Sequence, residues 1–340
     1  MEIEMIKKRS EVVKLMRQWF DNQGFLEMLT PRLLGLPGQE PYLEPFWTEV
    51  IDADNRPYPA ALITSPEYSM KRLLAAGFDK IYDLGSCFRN NEPWDGTHDP
   101  EFLMIEWYRR EAGVKELMDD TENMMRFISQ HVTRNTQCRD SRFEIPASSF
   151  RRLTVEQAWR EYAGVELAPL LGDREAMAKL AVEKFSQTVN PDDNWDDIYF
   201  KIFLSQIEEK LGLEQPTFLY RYPASQAALA RRSVDDPRWA ERVELYVGPF
   251  ELANGFAELC DPIEQRQRFL EEKALRSKQG RRSWPLDERF LVDLPKMGNA
   301  AGIAFGVERL AMLLAGTTSI NDILPFPARE RFNPLPEKPV

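Results

Sequence analysis

The chain has 340 residues, 43% of them hydrophobic, so it is long enough to bury a substantial core in one large domain or two. Its three cysteines form no Cys-x-x-Cys pair and it has only two histidines, which argues against a zinc site and indicates a reducing compartment. The formal net charge of −11 disfavours a tRNA partner, because proteins that hold a nucleic acid backbone usually present a basic surface.

The patterns of apolar and turn residues predict an α+β chain of helices and short strands, without internal repeats. A helix over 4–22 should end at Gly24, and a second helix over 66–76 should begin at Ser65 and Pro66, which are favoured at a helix start. We expect strands at 25–29, 45–51, 59–64, 217–222 and within 241–259, a hairpin over 85–110, and further helices at 114–132, three within 154–212, and 262–279. A last strand and helix fall within 296–316, and the proline-rich segment 326–340 should be extended.

The hairpin over 85–110 carries charged residues in positions where a ligand could meet them. Arg89 ends the first strand, and a fixed guanidinium can grip a carboxylate or a phosphate with two parallel bonds. Glu106 and Tyr108 lie two residues apart and therefore share one face of the second strand. The hairpin predicts a site for a zwitterion beside a phosphate, although an ordinary hairpin with a surface ion pair explains these residues equally well.

A Gly/Ala-rich strand runs into an apolar helix at Gly306, Val307, Glu308 and Arg309. Small residues let the backbone approach a ligand closely. A cation in the first helical turn opposes the helix dipole, so a structural reason for Arg309 is hard to find. This second segment favours a site that binds phosphate.

Together these segments resemble the class II aminoacyl-tRNA synthetases. The hairpin sequence FRxxE resembles their motif 2, the strand–helix GxxR resembles motif 3, and the helix over 6–22 with the following GFLEMLTP resembles motif 1. Segments 63–74, 216–231, 241–246 and 251–269 resemble the lysine-specific synthetases, and above all their short relatives, the elongation factor P–(R)-β-lysine ligases. The resemblance runs from about residue 5 to 325 and is weak over 112–215. It implies one catalytic domain over 1–325, an antiparallel sheet flanked by helices with a helical insertion at about 112–215, and a tail at 326–340.

The resemblance also implies an ATP site. Arg89 would hold the α-phosphate and the attacking carboxylate, Arg309 the γ-phosphate, and Gly306 would leave room for the nucleotide. Glu244 and Glu251 match the carboxylates that bind Mg²⁺, an ion that prefers oxygen ligands, although the residues alone would also fit two solvated strand acids. The full set expected to bind ATP is Arg89, Asn90, Asn91, His98, Asp99, Glu251, Leu252, Gly306 and Arg309.

For the amino acid, the family's pattern implies a pocket whose acids face ammonium groups. Glu258 matches the acid that holds the side-chain ammonium, with Glu106 and Tyr108 as further walls. Glu67 matches a contact to the substrate's amino group, although an acid is also favoured in a first helical turn. The expected substrate residues are Ser65, Pro66, Glu67, Glu106, Tyr108, Glu258 and Ala304.

Several positions depart from the family's patterns. Asn91 stands where a glutamate usually meets the adenine amino group, the loop is one residue longer, and Asp99 replaces an asparagine. These changes put base recognition in doubt. Ala304 stands where lysyl-tRNA synthetases have glycine and the short ligases have alanine. Its methyl group should disfavour an α-amino acid and suit an amino group on the β-carbon, a difference of only a few kcal/mol.

The partners follow from the same resemblance. We expect β-lysine as the small-molecule substrate, a lysine of elongation factor P as the acceptor, and a homodimer formed through motif 1 and Pro31. A tRNA partner is not expected, since motif 1 begins within the first ten residues or so and leaves no room for an anticodon-binding barrel. No apolar run approaches membrane-spanning length and no signal peptide is evident, so we expect a cytoplasmic protein without a membrane partner. Two alternatives remain: a truncated lysyl-type synthetase for tRNA or another acceptor, and a non-catalytic amino-acid-binding paralogue.

Overall fold

The computed structural model describes residues 3–132, 145–146 and 148–332. Its helices are α1 (Ile3–Asn22), α2 (Glu67–Ala75), α3 (Val114–His131), α4 (Val155–Ala158), α5 (Arg174–Phe185), α6 (Trp195–Gln206), α7 (Pro262–Lys278), α8 (Glu288–Asp293), α9 (Val307–Ala315), α10 (Ile320–Ile323) and α11 (Ala328–Arg331). Its strands are β1 (Leu26–Glu27), β2 (Leu33–Leu34), β3 (Trp47–Ile51), β4 (Pro57–Leu62), β5 (Lys80–Phe88), β6 (Glu101–Arg110), β7 (Arg151–Thr154), β8 (Thr217–Pro223), β9 (Trp239–Val247), β10 (Phe250–Ala257) and β11 (Ala300–Gly306).

Eight of these strands form one sheet in the order β1-β5-β6-β11-β10-β9-β8-β7, and β2-β4-β3 form a second, three-stranded sheet. Pairing in the large sheet is antiparallel except at its two edges, where β1 pairs with β5 and β7 with β8 in parallel. The predicted hairpin is β5 and β6, and the predicted motif 3 strand, β11, lies beside β6. The expected α+β fold with an antiparallel sheet is therefore confirmed.

Side chains alternate between the two faces of the central strands, so one face packs in the core and the other faces a cavity. On β6, Ile105 and Trp107 join a large hydrophobic core with α1, α3 and α9. Glu106 and Tyr108 point to the other face of the sheet, where α2, α7 and α8 pack. β11 repeats this division, because Ile303 belongs to the core while the small residues beside it line a cavity.

The helical insertion builds a core of its own. α4, α5 and α6 enclose aromatic residues, among them Trp159 and Tyr199, whose rings lie 5.1 Å apart. Asn194 caps the start of α6, since its side chain accepts a hydrogen bond from the backbone N–H of Asp197. This cap fixes the N-terminal end of α6, which reaches the wall of the cavity.

The C-terminal segment differs from the extended tail that the sequence predicted. α11 is a short helix, and Arg331 pairs with Asp99 and Glu101 near the start of β6. Arg329 donates to the carbonyl of Trp94, and so ties this helix to the loop of the hairpin. Residues 333–340 and Cys138 lie outside the described residues. Within the described ranges, none of the helices combines the length and apolarity needed to cross a membrane.

Candidate active site

A cavity of about 750 Å³ lies on the face of the large sheet opposite to the main core. The cavity-facing residues of β6, β10 and β11 form its floor, and α2, α7, the start of α6 and the hairpin loop form its walls. Acidic side chains outnumber basic ones in this lining. The acids and the arginines are nevertheless separated, so the cavity has two chemically different ends.

Two guanidinium groups define the first end. Arg89 stands over the ring of Phe102 at 5.1 Å, and in the described ranges its side chain forms no hydrogen bond or ion pair. Arg309 donates to the backbone carbonyl of Glu251 at 2.6 Å and lies 3.4 Å from the Nε2 of His98. No carboxylate of a residue that the structure describes lies within ion-pair distance of either cation. Both are therefore available to an anionic ligand.

The position of Arg309 is fixed by the residue before it. Glu308 is 2% exposed and accepts hydrogen bonds from the backbone N–H of Leu103 at 3.0 Å and from Arg9 of α1 at 2.8 Å. The first turn of α9 is thus tied to β6 and to α1. A cation in that turn opposes the helix dipole by about 0.3–1 kcal/mol, so this rigid placement of Arg309 is better explained by a ligand than by stability.

Glu244 and Glu251, the predicted metal carboxylates, have different surroundings. Glu244 is 6% exposed, accepts hydrogen bonds from Tyr222 and Tyr246 at 2.5 and 2.6 Å, and pairs with Arg242 at 2.5 Å. Glu251 lines the cavity, and its carboxylate forms no hydrogen bond or ion pair with any residue whose placement is described. Burial, followed by repulsion from Glu244, raises the pKa of the Glu251 carboxyl group. A divalent cation would compensate this charge, so Glu251 fits an Mg²⁺ site. Glu244 could bind the ion only if it gave up one of its hydrogen bonds or its ion pair.

The hairpin loop brings some of its predicted residues to the cavity. His98 and Asp99 line it, as does Glu92. His98 accepts or donates a hydrogen bond with Thr97 at 2.9 Å. The Asp99 carboxylate accepts from the backbone of Ala328 at 2.7 Å and pairs with Arg331, so it anchors the C-terminal helix.

Asn90 and Asn91 do not line the cavity. Asn90 bonds to the carbonyl of Glu44 at 2.7 Å through its backbone and caps the N–H of Asn91 at 2.9 Å with its side chain. Asn91 is exposed and adopts a left-handed backbone conformation with φ of 60°, which asparagine tolerates better than most residues. In this longer loop the acid that reaches the cavity is therefore one residue further along, at Glu92.

The second end of the cavity is an acidic pocket built around Glu106. Its two oxygens accept hydrogen bonds from the hydroxyls of Ser65 at 2.6 Å and Tyr108 at 2.7 Å. Burial, and then repulsion from Glu67, raises the pKa of Glu106 to about 8. Neutral hydroxyl donors thus hold this carboxylate in place without supplying a counter-charge.

Lys71 is the resident cation of this pocket. Its ammonium group, 1% exposed, lies 2.5 Å from Glu67 and 2.6 Å from Glu258. Burial alone would lower the pKa of Lys71, but the negative charges of Glu258 and Glu67 raise it above its usual range. Lys71 therefore pairs with two of the pocket's three carboxylates, Glu67 and Glu258 but not Glu106, and the pocket has a formal charge of −2 when all three are ionised.

Glu258 retains an oxygen that no described hydrogen-bond donor reaches. Although Lys71 pairs with its Oε2, Oε1 is buried and unpartnered. A Cβ atom at Gly302 would come within 2.9 Å of that oxygen and 2.1 Å of the Tyr108 ring. The missing side chain at Gly302 thus leaves room for Tyr108, and Glu258 Oε1 lies close to Gly302, which itself lines the cavity. A buried acceptor of this kind calls for a donor supplied by a ligand.

Ala304 lies at the floor between these groups. In the sheet register it stands opposite Glu106 on β6 and Asn254 on β10. Both neighbours line the cavity with it. The methyl group of Ala304 therefore occupies space at the edge of the acidic pocket, on the side toward Gly306 and the arginines.

Comparison with known proteins identifies the family of the chain. The family model for tRNA synthetases of class II (D, K and N) matches residues 2–330. The chain belongs to this family. It is 36% identical to the elongation factor P–(R)-β-lysine ligase of Proteus mirabilis over 328 residues, 96% of this chain and 95% of that protein. The enzymes of the same name from Yersinia enterocolitica and Vibrio vulnificus are also 36% identical, over 334 and 331 residues, and cover 96% of this chain and 95% and 96% of their own lengths.

Within this class II framework, the cavity brings together most of the residues that the sequence singled out. It is lined by Ser65, Glu67, Arg89, His98, Asp99, Glu106, Tyr108, Glu251, Leu252, Ala304, Gly306 and Arg309. Pro66, Asn90, Asn91, Glu244 and Glu258 lie outside the lining. A Cβ at Gly306 would meet only Arg309 atoms at ordinary contact distance, so protein packing does not require glycine there.

Sequence reasoning missed other residues of this class II site. Lys71 could have been found, since it follows Glu67 by four residues and so shares its helix face. Arg242, which lies over the ring of Tyr222 at 4.7 Å, stands two residues before Glu244 on the same strand face. Glu40 and Glu92 also line the cavity. They sit in irregular segments, where no periodicity predicts which side chain faces the ligand.

Proposed function

We propose that this chain is an ATP-dependent ligase that activates (R)-β-lysine as an adenylate and transfers it to a lysine side chain of elongation factor P. The curated relatives carry the name of this activity and match along nearly the whole chain. Because the acceptor is a translation factor, we place the enzyme in the cytoplasm.

The observation that carries the proposal is the division of the cavity into two ends. Over the part of the chain that the structure describes, Arg89 and Arg309 are cations without carboxylate partners, as the binding of a triphosphate requires. When all three of its acids are ionised, the acidic pocket has an excess of two negative charges over its resident Lys71. A diamino acid supplies two ammonium groups for that pocket and a carboxylate that points toward Arg89. An amino acid with one ammonium group would leave a buried negative charge uncompensated.

In the activation step, the carboxylate of the amino acid attacks the α-phosphate of ATP and pyrophosphate leaves. Arg89 binds the carboxylate and the α-phosphate, and Arg309 binds the γ-phosphate, so both stabilise the charge that builds up in the transition state. Glu92, the loop acid that lines the cavity, would accept a hydrogen bond from the adenine amino group. Mg²⁺, held by Glu251 with Glu244, would neutralise phosphate charge.

Ammonium recognition orients the substrate for this attack. Glu258 Oε1 and Glu106 would bind one ammonium group at the closed end of the pocket. Glu67 would bind the other, nearer to Arg89. The methyl group of Ala304 would favour an amino group on the β-carbon over one on the α-carbon.

ATP–pyrophosphate exchange with a panel of amino acids tests the proposal most directly. We expect exchange with β-lysine, weaker exchange with α-lysine, and none with norleucine, which has the same length but one ammonium group. A second assay should show β-lysine incorporated into elongation factor P. Exchange restricted to α-lysine together with charging of tRNA would instead establish the truncated synthetase, and binding without any exchange would establish the regulatory paralogue.

We also propose that two copies assemble through the motif 1 region. Beside Pro31, the side chains of Leu26, Leu29 and Leu33 are 53%, 84% and 40% exposed. Apolar surface of this extent near β1 and β2 favours a two-fold interface. Sedimentation at micromolar concentration should give a dimer, and Leu29→Glu should convert it to a monomer. A wild-type monomer would overturn this assignment.

A further inference from the structure

Glu40 is an acid of the cavity wall that the activation step does not use. It lines the cavity, and across the described ranges no basic side chain lies within ion-pair distance of its carboxylate. Its side-chain hydrogen bond is a long contact of 3.5 Å from the Thr64 hydroxyl. Burial, and then repulsion from Glu67, raises the pKa of Glu40. The Glu40 side chain is partly exposed and lines the cavity, so a ligand bound there can reach its carboxylate.

The segment that carries Glu40 is held rigidly. Arg276 of α7 is fully buried and donates to the carbonyls of Glu40, Pro41 and Leu43 at 3.1, 3.2 and 2.8 Å. It also pairs with Glu44 at 2.7 Å. These hydrogen bonds from one buried arginine hold the segment around Glu40 against α7.

The neighbouring residue adds to this placement. Gln39 is 2% exposed, and its backbone N–H donates to the Tyr68 hydroxyl at 3.1 Å while its amide donates to the carbonyl of Pro285 at 3.0 Å. The backbone on both sides of the Glu40 side chain is therefore tied to α2 and α7. A preorganised carboxylate is what proton transfer in an active site requires.

The groups around Glu40 show where in the reaction it would act. Glu67 and Tyr68 face it from α2, Glu272 faces it from α7, and Arg89 faces it from the end of β5. Under the proposed function, Glu67 binds the amino group of the substrate and Arg89 binds its carboxylate. Glu40 is thus placed beside the carbonyl that forms when the carboxylate is activated.

We propose that Glu40 is the general base of the transfer step, which receives the ammonium group of the acceptor lysine and removes its proton. This inference rests on the proposed function. The Glu40 carboxylate takes one proton, and the freed amine forms a C–N bond to the adenylate carbonyl. The C–O bond to phosphate then breaks, AMP leaves with the electron pair, and the second proton of the nitrogen passes to the solvent.

The test separates the two half-reactions in Glu40→Gln, which keeps the size of the side chain and removes its basicity. ATP–pyrophosphate exchange with β-lysine should stay within about threefold of wild type. Transfer of β-lysine from the preformed enzyme-bound adenylate to elongation factor P should slow by about 100-fold or more, as loss of a general base does. In wild type the transfer rate should fall as the pH drops below the raised pKa of Glu40, and this dependence should disappear in the variant.

Hydroxylamine provides the decisive control, because it is largely unprotonated at neutral pH and needs no base. It should trap the adenylate equally fast in wild type and in Glu40→Gln. Glu288→Gln, a change at an exposed acid of α8 that pairs with Arg266 and lies outside the cavity lining, should leave transfer unchanged and so exclude a general effect of acidic charge. Equal loss of exchange and transfer in Glu40→Gln, or slow trapping by hydroxylamine, would overturn the proposal. If Glu40→Gln retains exchange, the activation step does not depend on Glu40, whatever the transfer assay shows. A failure of the Glu40 proposal can thus be told apart from a failure of the proposed function.

Discussion

The two ends of the cavity treat charge in opposite ways. At the phosphate end, Arg89 and Arg309 have no carboxylate partner among the described residues and rest on an aromatic ring, a backbone carbonyl and a histidine. At the ammonium end, the buried acids already share a resident cation, Lys71. One end is a pair of free cations, and the other is an acidic pocket that has been partly neutralised in advance.

Burial explains the difference. Arg89 and Arg309 are only partly buried, so solvent compensates them until a phosphate arrives. Glu106 and Glu258 are 1% and 2% exposed, and a group of carboxylates so deep would be protonated without a cation. The ammonium group of Lys71 compensates one of these negative charges. The ammonium groups of the substrate would compensate the others. The phosphate end can therefore be altered without repacking, whereas a change at the ammonium end also changes protonation.

The largest effect should come from the phosphate end. Arg89→Ala and Arg309→Ala should each lower amino-acid-dependent ATP–pyrophosphate exchange by about 100- to 1,000-fold, since under the proposed function each removes a cation that stabilises the transition state. Circular dichroism should show an unchanged fold, because neither guanidinium forms an ion pair that packing needs. Arg232→Ala, at a half-exposed ion pair with Glu264, serves as the matched control and should retain full exchange. Near wild-type exchange in both active-site variants would contradict the assignment.

Lys71→Met tests the role of the resident cation in the acidic pocket. Without the resident cation, Glu258 and Glu67 lose their partner, so the acids should take up protons and bind ammonium groups poorly at neutral pH. We expect the KM for β-lysine to rise by about 100-fold while the KM for ATP stays nearly constant. Arg72→Met changes the adjacent cation, whose partner is Asp293 at 3.0 Å, and should leave both constants unchanged.

A chemical rescue distinguishes charge from packing at this position. In Lys71→Ala, millimolar propylammonium should enter the vacated space and restore part of the affinity for β-lysine. The same amine should not help Glu258→Gln, because its charge partner is gone. Absence of rescue together with a lowered melting temperature would mean that Lys71 acts only through stability.

The phosphate end was predictable from the sequence because its residues lie at the ends of regular elements. Arg89 closes β5 and Arg309 opens α9, and both positions follow from strand and helix patterns. The same reasoning succeeded for two residues of the acidic pocket. The two-residue period of a strand predicted that Glu106 and Tyr108 share one face, and their 2.7 Å hydrogen bond confirms that placement. Local periodicity is sufficient when the functional residues belong to a strand or a helix.

The ammonium end was only partly predictable, because its balance depends on contacts distant in sequence. The pairing of Lys71 with Glu258 spans nearly 190 positions. Outside this pocket, the surroundings of Glu244 depend in the same way on Tyr222 from another strand. Glu40 and Glu92 lie in irregular segments whose direction is set by partners such as Arg276 and the C-terminal helix. Spacing alone does not report such contacts.

The pH dependence of binding should follow from the acids of the pocket. In the free enzyme Glu106 has a pKa of about 8, against an ordinary value of 4.5, so the folded state holds a proton that the unfolded chain releases. The free energy of unfolding should therefore fall as the pH rises between these values. An ammonium ligand requires the ionised form, so the affinity for β-lysine should rise by up to about tenfold per pH unit from pH 6 to 8.

Thermal shift and calorimetry measure this linkage. The increase in Tm on adding β-lysine should be larger at pH 8 than at pH 6, and binding at pH 7 should release protons into the buffer. Glu106→Gln should flatten the dependence, since its amide does not titrate. Equal affinity at pH 6 and pH 8 in the wild-type enzyme would show that these carboxylates are already ionised before the substrate binds.

The smallest expected effect concerns Ala304, which lies between the two ends. Its methyl group stands beside Glu106 and Asn254 in the sheet register, where the amino group of an α-amino acid would come close to the floor. Ala304→Gly should raise kcat/KM of adenylation for α-lysine relative to β-lysine by about fivefold, equivalent to about 1 kcal/mol, a typical value for one methyl group in a pocket.

Glu258→Gln should instead weaken the binding of both isomers together, because under the proposed function it removes the charge that faces the terminal ammonium group common to them. Measuring both isomers in wild type and both variants separates the shape of the floor from the charge of the pocket. A wild-type preference for α-lysine that Ala304→Gly leaves unchanged would remove the basis for β-lysine and favour a lysyl-type synthetase.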